Sequence, residues 1–390
     1  MHRFFLGRFP PLFLLTCSFI SGIAWHIACY PLLLPISVLA TLALACLPGD
    51  TAFSERFIKS GLWALIFFLI GALRSTSQEA YFLSQAQLLC NKKITLTGTI
   101  VDKEEQPGKK FPLVLTIAVT NIAYRNRTFS PEQPLIKLYC HESHTFEYND
   151  VITIPDIYLS YPGNSSFGYF LKKQNICANG FLKREQPITF VEHIRAGGLS
   201  ESCACWVQKQ KDALIVHFQQ NLSPEAFILF SSIFLGYKMP KNEFTCHLRD
   251  EFQWWGISHH LARSGLHLVM FILVLQFLLL LLPIPLIIKK ILSMLLIFLY
   301  TLFSWSSISF IRSLLMVFCY FICTLTSFAS HALHTISLAC CIILLYNPFY
   351  LLSLDFQLSF SFTLALALFH DAYLYRRAQS SNVADNASNS

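Results

Sequence analysis

Apolar residues are distributed very unevenly along this chain of 390 residues, and this distribution limits the possible folds more than any other feature. Long apolar runs occupy residues 9–47, 58–73 and 264–370, whereas residues 74–222 have the mixed composition of a water-soluble domain. Charged residues make up only 13% of the chain, about half of the ~25% that is typical of soluble domains. Part of the chain is therefore expected to contact lipid and part to contact water. We predict a polytopic α-helical membrane protein with an inserted all-β (OB-like) extracytoplasmic domain.

Eight apolar segments have close to the ~17–25 residues that a helix needs to cross a bilayer. They are residues 9–29, 31–47, 58–73, 264–282, 286–304, 311–328, 333–350 and 354–370. Basic residues favour the cytoplasmic side of short loops, and here Arg3 and Arg8 precede the first segment while Arg376 and Arg377 follow the last. This predicts a multi-pass protein of the cell inner (cytoplasmic) membrane, with both termini cytoplasmic and residues 76–200 extracytoplasmic.

The water-soluble interval has the pattern of a small β domain. Residues 94–101 (ITLTGTIV) alternate apolar side chains with threonine, which is the period-two pattern of a half-buried strand. Turn-like stretches rich in Gly, Pro, Asn and Asp separate further candidates. These strands are predicted at 113–122, 135–139, 151–159, 176–182 and 187–191. So many short strands indicate a small barrel, and we predict an OB-like one.

Five regions follow from these patterns. They are an N-terminal three-helix membrane segment (1–75), the extracytoplasmic β domain (76–200), an amphipathic or re-entrant linker region (201–263), a multi-helix membrane core (264–372) and a disordered cytoplasmic tail (373–390).

A polar stripe opens the membrane core within residues 252–271 (FQWWGISHHLARSGLHLVMF). On a helix, His259, Arg263 and His267 fall at i, i+4 and i+8, along one face. Ionisable groups at membrane depth normally face a protein interior or a water-filled path. Three interpretations stay open: residues at a membrane interface, metal ligands, or the lining of a pathway for an anionic substrate. Gly265 would allow a close approach between helices.

Further polar residues interrupt the apolar core. Arg312 begins the helix predicted after residue 307, either as an interfacial anchor or as a cation beside a path for phosphates. Asp355 and Gln357 lie in an otherwise apolar run. They either line the same path or form hydrogen bonds between helices.

Three motifs give the chain a resemblance to the ComEC family of DNA-uptake channel proteins. Residues 256–267 (GISHHLARSGLH) follow that family's Gly-x-x-His-x-x-Ala-x-Ser-Gly-x-His motif. Residues 347–360 (NPFYLLSLDFQLSF) correspond to its Asn-Pro followed by Phe-Gln-Leu-Ser-Phe. Residues 161–182 are similar to the segment that closes its OB-like domain, and Arg312 falls where the family has an arginine.

The resemblance implies a competence protein of the inner membrane that passes single-stranded DNA into the cytoplasm during natural transformation. It implies transport and not catalysis, and it requires no cofactor. The implied partners are single-stranded DNA, membrane lipid, a separate DNA receptor and further copies of the chain in a homo-oligomer. A separate cytoplasmic motor is also implied, because the sequence contains no GxxxxGK[ST] phosphate-binding loop.

The resemblance also suggests which residues contact DNA. Those expected along the DNA pathway are His259, His260, Arg263, Ser264, Gly265, His267, Arg312, Asp355 and Gln357. In the β domain, aromatic rings that can stack on bases and nearby lysines are the candidates, namely Tyr158, Tyr161, Phe167, Tyr169, Lys172 and Lys173.

Two departures from the family leave alternatives open. His260 and Arg263 replace residues that are usually apolar in the motif, and the chain has the form of a short member that lacks the metallo-β-lactamase-like domain. One alternative is a membrane metal-dependent hydrolase that uses the histidines of residues 259–267. Another is an assembly subunit that transports nothing.

Overall fold

The computed structural model describes most of the chain in segments separated by short gaps. These are residues 11–28, 53–105, 111–124, 127–141, 146, 148–182, 188–193, 199–236, 243–256, 265–304, 307–326 and 332–388. The chain divides into two compact units, Met1–Gln78 with Ile311–Ser390, and Glu79–Phe310. Each unit is described by itself below.

Helices flank the β region on both sides in sequence. The helices are α1 (Pro11–Ala28), α2 (Phe53–Leu89), α3 (Ser166–Lys173), α4 (Leu199–Asn221), α5 (Pro224–Phe230), α6 (Glu243–Trp254), α7 (Gly265–Leu280), α8 (Leu286–Leu302), α9 (Ile308–Thr326), α10 (Ala332–Tyr346) and α11 (Leu354–Ser388). A π-helical turn at Ser231–Leu235 continues α5, and a 3₁₀ turn at Pro348–Leu352 precedes α11.

The strands form one sheet that closes on itself. The strands are β1 (Lys93–Glu105), β2 (Leu113–Tyr124), β3 (Arg127–Phe129), β4 (Leu135–Cys140), β5 (Asp150–Ser160), β6 (Ile176–Phe181) and β7 (Thr189–His193). Five of them pair in the order β1-β2-β4-β6-β5, and β1 also pairs with β5. The β4–β6 pair is parallel, while the other four pairs of this ring are antiparallel. The result is a five-stranded barrel, to which β3 and β7 are added.

Period-two patterning explains why these segments form strands. Each strand predicted from the sequence overlaps an observed one, so those strand predictions are confirmed. In β1, Ile94, Leu96 and Ile100 are buried, as expected when alternate side chains point into the barrel. The interval is not all-β, however, because α3 lies between β5 and β6. Its eight residues (SFGYFLKK) showed no strand alternation, and the sequence prediction did not include it.

The predicted polytopic α-helical membrane fold is wrong. Within the described residues, a single helix, Ile308–Thr326, is long and apolar enough to cross a membrane. The other apolar helices are shorter than the roughly 20 residues that crossing requires; they are Leu12–Ile27, Pro224–Leu235, Gly265–Leu280, Ala332–Tyr346 and Leu354–His370. Several predicted segments exceed these helices by a few residues; residues 264–282, for example, contain a helix that ends at Leu280.

Other predictions about the helical regions have mixed outcomes. The predicted linker region, residues 201–263, contains the helices α4, α5 and α6. The second predicted membrane segment, residues 31–47, lies outside the described residues. α11 continues to Ser388, through most of the predicted disordered tail at residues 373–390. The five region boundaries and the predicted sidedness stay predictions.

In the first unit, α1 and α2 pack closely through two glycines. A Cβ atom on Gly71 would lie 2.2 Å from the carbonyl oxygen of Phe19, and one on Gly22 would lie 2.1 Å from that of Phe68. The contact continues where Nδ1 of His26 lies 3.0 Å from the Ser75 hydroxyl. Small residues let helix backbones approach in this way.

We expect Gly71→Ala to lower the free energy of unfolding of the protein by about 2 kcal/mol. Alanine normally favours a helix over glycine by about 1 kcal/mol, so the effect here has the opposite sign because the added methyl group meets backbone. The measurement is thermal unfolding of the purified protein in detergent. Gly163→Ala is the matched control, since its Cβ would meet nothing within 4 Å. Equal melting temperatures for the two variants would contradict the close packing.

Candidate functional site

The predicted DNA-binding residues of the β domain surround the connection between β5 and β6. The Ser165 hydroxyl accepts a hydrogen bond from the Gly168 amide at 3.0 Å and so caps the N-terminus of α3. A Cβ atom on Gly168 would lie only 1.8 Å from the Gly163 carbonyl oxygen. Because Gly168 has no side chain, α3 can pack directly against the preceding turn.

Lys172 is inside the domain. Its side chain is fully buried, and its ammonium group lies 3.6 Å from the Glu79 carboxylate and donates to Oδ1 of Asn164 at 3.0 Å. The rings of Tyr161 and Tyr169 lie 5.3 and 5.5 Å from the ammonium nitrogen, within the range of a cation–π interaction. Burial lowers the pKa of Lys172, and Glu79 opposes this shift. The structure therefore leaves Lys172 no exposed surface for DNA.

The other five candidates have at least some exposed surface. Tyr158 and Phe167 are exposed, and Tyr161, Tyr169 and Lys173 are half-buried. The hydroxyl of Tyr158 donates to Oδ1 of Asn91 at 3.3 Å. Burial is the main cause that raises the pKa of Tyr161. The placement of these five is compatible with DNA contact, which stays a prediction.

A second aromatic group, which we call the aromatic platform, lies on the outer face of the barrel. It consists of Phe111, Tyr139, His141 and Phe181. Tyr139 and Phe181 are register partners on the parallel strands β4 and β6, and their ring centroids are 5.2 Å apart at 24°. Phe111 lies 5.9 Å from Tyr139 and 4.6 Å from His141.

Sequence reasoning missed the platform as a group. The residues span 70 positions (181 − 111) and meet through the β2–β4 and β4–β6 pairings. The one signal available was that Tyr139 lies between apolar neighbours in a strand, which indicates that it faces outward.

The second candidate region lies in the first unit, where Arg312 connects two helices. From α9, its guanidinium donates to the carbonyl oxygen of Ser359 and to the hydroxyl of Thr363, both on α11. The ring of Phe360 lies 5.7 Å from the guanidinium carbon. Nε is buried and has no hydrogen-bond partner among the described residues. No carboxylate of the described chain is recorded within ion-pair distance of Arg312.

Arg312 lies in the part of the chain that matches a known protein family. Residues 240–387 match the family model described as competence protein. Competence proteins are membrane-associated and related to DNA uptake, and their domain is typically concerned with transport and not catalysis. Comparison with curated proteins and with solved structures gave no match. We call residues 240–387 the competence region.

The competence region contains every predicted pathway residue. His259, His260, Arg263 and Ser264 lie outside the described residues. Gly265 and His267 are half-buried in the first turn of α7. Within the described residues, no group of three His, Cys, Asp or Glu side chains is arranged to hold a metal ion. The hydrolase alternative depends on residues 259 and 260 and stays a prediction.

Asp355 and Gln357 are exposed at the start of α11. Gln357 donates its side-chain amide to the Leu351 carbonyl at 2.8 Å, which ties it to the preceding 3₁₀ turn. Asp355 lies four residues before Ser359 on the same helix, and therefore on the helix face that Arg312 contacts. A path along this face would meet the acid Asp355 and the half-buried cation Arg312.

Proposed function

We propose that this chain is an inner-membrane channel component that passes single-stranded DNA into the cytoplasm during natural transformation. The observation that carries the proposal is the half-buried guanidinium of Arg312 inside the competence region, whose buried Nε has no hydrogen-bond partner among the described residues. A guanidinium can form paired hydrogen bonds with the oxygens of a phosphate group. Among the described residues, Nε of Arg312 has no hydrogen-bond acceptor and no acid forms an ion pair with the guanidinium.

Energetics favour a ligand for this group. A buried charge that lacks an ionic partner carries a desolvation penalty, and a passing phosphodiester would relieve it. An arginine whose N–H donors were all bonded within the protein would have no donor left for such a ligand. The guanidinium of Arg312 donates hydrogen bonds to Ser359 and Thr363, and these two bonds hold it in place. Its Nε–H donor stays available.

The proposal also specifies sidedness and partners. The barrel of residues 93–193 would lie outside the cytoplasm and receive the strand, with a separate DNA receptor delivering it. A cytoplasmic motor would supply the driving force. Since a polyanion needs a route enclosed by protein or water, further copies of this chain or a second membrane protein would complete the wall.

The experiment is complementation in a naturally transformable host. A strain that lacks the gene for this chain is expected to lose transformation, and expression of the chain alone is expected to restore it. Uptake is followed with DNA labelled in one strand, recovered from the cytoplasm. A null strain that transforms at the parental rate, with DNA still reaching the cytoplasm, would remove the proposed function. Accessibility of an engineered tag in the barrel to protease from outside the inner membrane tests the sidedness.

A further inference from the structure

We propose that the aromatic platform is a base-stacking site for single-stranded DNA. This inference rests on the proposed function, because it names the surface of the barrel on which the incoming strand is first held. None of Phe111, His141 or Phe181 is among the DNA-contacting residues that the sequence suggested.

The platform has the geometry that stacking requires. Tyr139 and Phe181 present neighbouring rings at 24° to each other, and Phe111 extends the surface with a centroid 5.2 Å from that of Phe181. Phe181 is 53% exposed. An aromatic group that served only the barrel core would be covered, as Leu138 and Leu182 are.

The backbone beneath the platform is rigid. Leu138 and Cys140 flank Tyr139 in β4, and both are buried in the barrel core. The Leu182 amide also donates to the Tyr139 carbonyl at 3.0 Å. The rings of Tyr139 and Phe181 are therefore held by paired strands, and little conformational freedom of their backbone remains to be lost when a base binds.

The acid that acts on Tyr139 is paired with a lysine. That acid is Glu104, and its carboxylate lies 3.7 Å from the ammonium group of Lys137. Lys137 is two residues before Tyr139 and so shares its strand face. A stacked base would thus lie next to a neutralised ion pair, with its own phosphates free to meet solvent or other cations.

DNA is the occupant that the molecule favours over lipid or another protein. The competence region ties the chain to DNA uptake, and aromatic faces bind successive bases of a single strand without regard to sequence. Flat aromatic rings with a histidine at one edge also suit bases better than acyl chains. Aliphatic side chains would bind acyl chains equally well.

The test measures binding of the purified full-length chain to a labelled oligothymidylate of about 12 nucleotides. Phe181→Ala is expected to weaken binding roughly 5-fold or more. An abasic oligonucleotide of the same length keeps the phosphates but offers no bases, so Phe181→Ala is expected to leave its binding unchanged. Phe181→Trp is expected to retain full affinity for oligothymidylate. Phe190→Ala is the matched control, since Phe190 is 54% exposed on β7, outside the platform.

Several results would overturn the inference. One is unchanged oligothymidylate binding by Phe181→Ala, and another is an equal loss with the abasic strand. A third is a loss of binding to anionic lipid vesicles without a loss of DNA binding, which would make the platform a membrane contact. Failure of the proposed function is distinguishable, because it would leave Phe181-dependent DNA binding intact while the null strain still transforms.

Discussion

Arg312→Ala is expected to lower transformation on the order of 100-fold while the protein still accumulates in the membrane fraction. The size follows from losing a charge-assisted hydrogen bond of about 3 kcal/mol to each phosphate that passes. Counting transformants in the complemented null strain measures it. Arg312→Lys keeps the charge but presents a single nitrogen in place of the planar fork, so it is expected to recover only part of the loss.

A direct contact with DNA is separable from a structural effect of Arg312. For single strands, the logarithm of affinity falls with the logarithm of salt by about 0.7 for each neutralised phosphate. Arg312→Ala is therefore expected to reduce that slope by about 0.7. Thr363→Val removes one of the acceptors that hold Arg312 and serves as the matched control, with the slope preserved. An unchanged slope in Arg312→Ala would show that Arg312 only joins α9 to α11.

Lys172→Met is expected to lower the free energy of unfolding of the second compact unit, which contains the barrel, by about 3 kcal/mol. The substitution leaves Glu79 without its cation and removes the hydrogen bond to Asn164. It also removes the positive charge that lies between the rings of Tyr161 and Tyr169. Denaturant unfolding of the purified protein, followed by far-UV circular dichroism, measures the change.

Two variants control the Lys172 experiment. Lys173→Met changes the adjacent, half-buried lysine and is expected to alter stability by less than about 0.5 kcal/mol. Adding Glu79→Gln to Lys172→Met is expected to recover part of the loss, because a neutral amide no longer needs the missing cation. If Lys172→Met and Lys173→Met unfold at the same denaturant concentration, the buried pair contributes nothing measurable.

The buried pair also shows how a sequence signal can mislead. In the sequence, Lys172 and Lys173 are equivalent neighbours beside a group of aromatics, and both suggest a surface for DNA. On α3 they are about 100° apart, so that one side chain points into the domain while the other stays half-exposed. The lysine that points inward, Lys172, pairs with Glu79, 93 residues earlier (172 − 79).

Local patterns in the sequence determined the strands of this protein. The alternation in residues 94–101 and in the segments after it is a property of neighbouring residues, and it specifies β structure wherever one face is buried. The same holds for α4, whose length and composition are local. The motif at residues 256–267 and the Phe-Gln-Leu-Ser-Phe run likewise pointed to competence proteins, which the family match at residues 240–387 supports.

Tertiary structure decided the rest, because it depends on residues that are distant in sequence. The lengths of the apolar helices, and with them the failure of the polytopic prediction, depend on where each helix ends within its apolar segment. The aromatic platform exists because parallel pairing places Tyr139 beside Phe181. Arg312 obtains its two acceptors from α11, 47 and 51 residues away. Hydropathy and periodicity describe each segment separately, whereas burial and charge pairing arise only between segments.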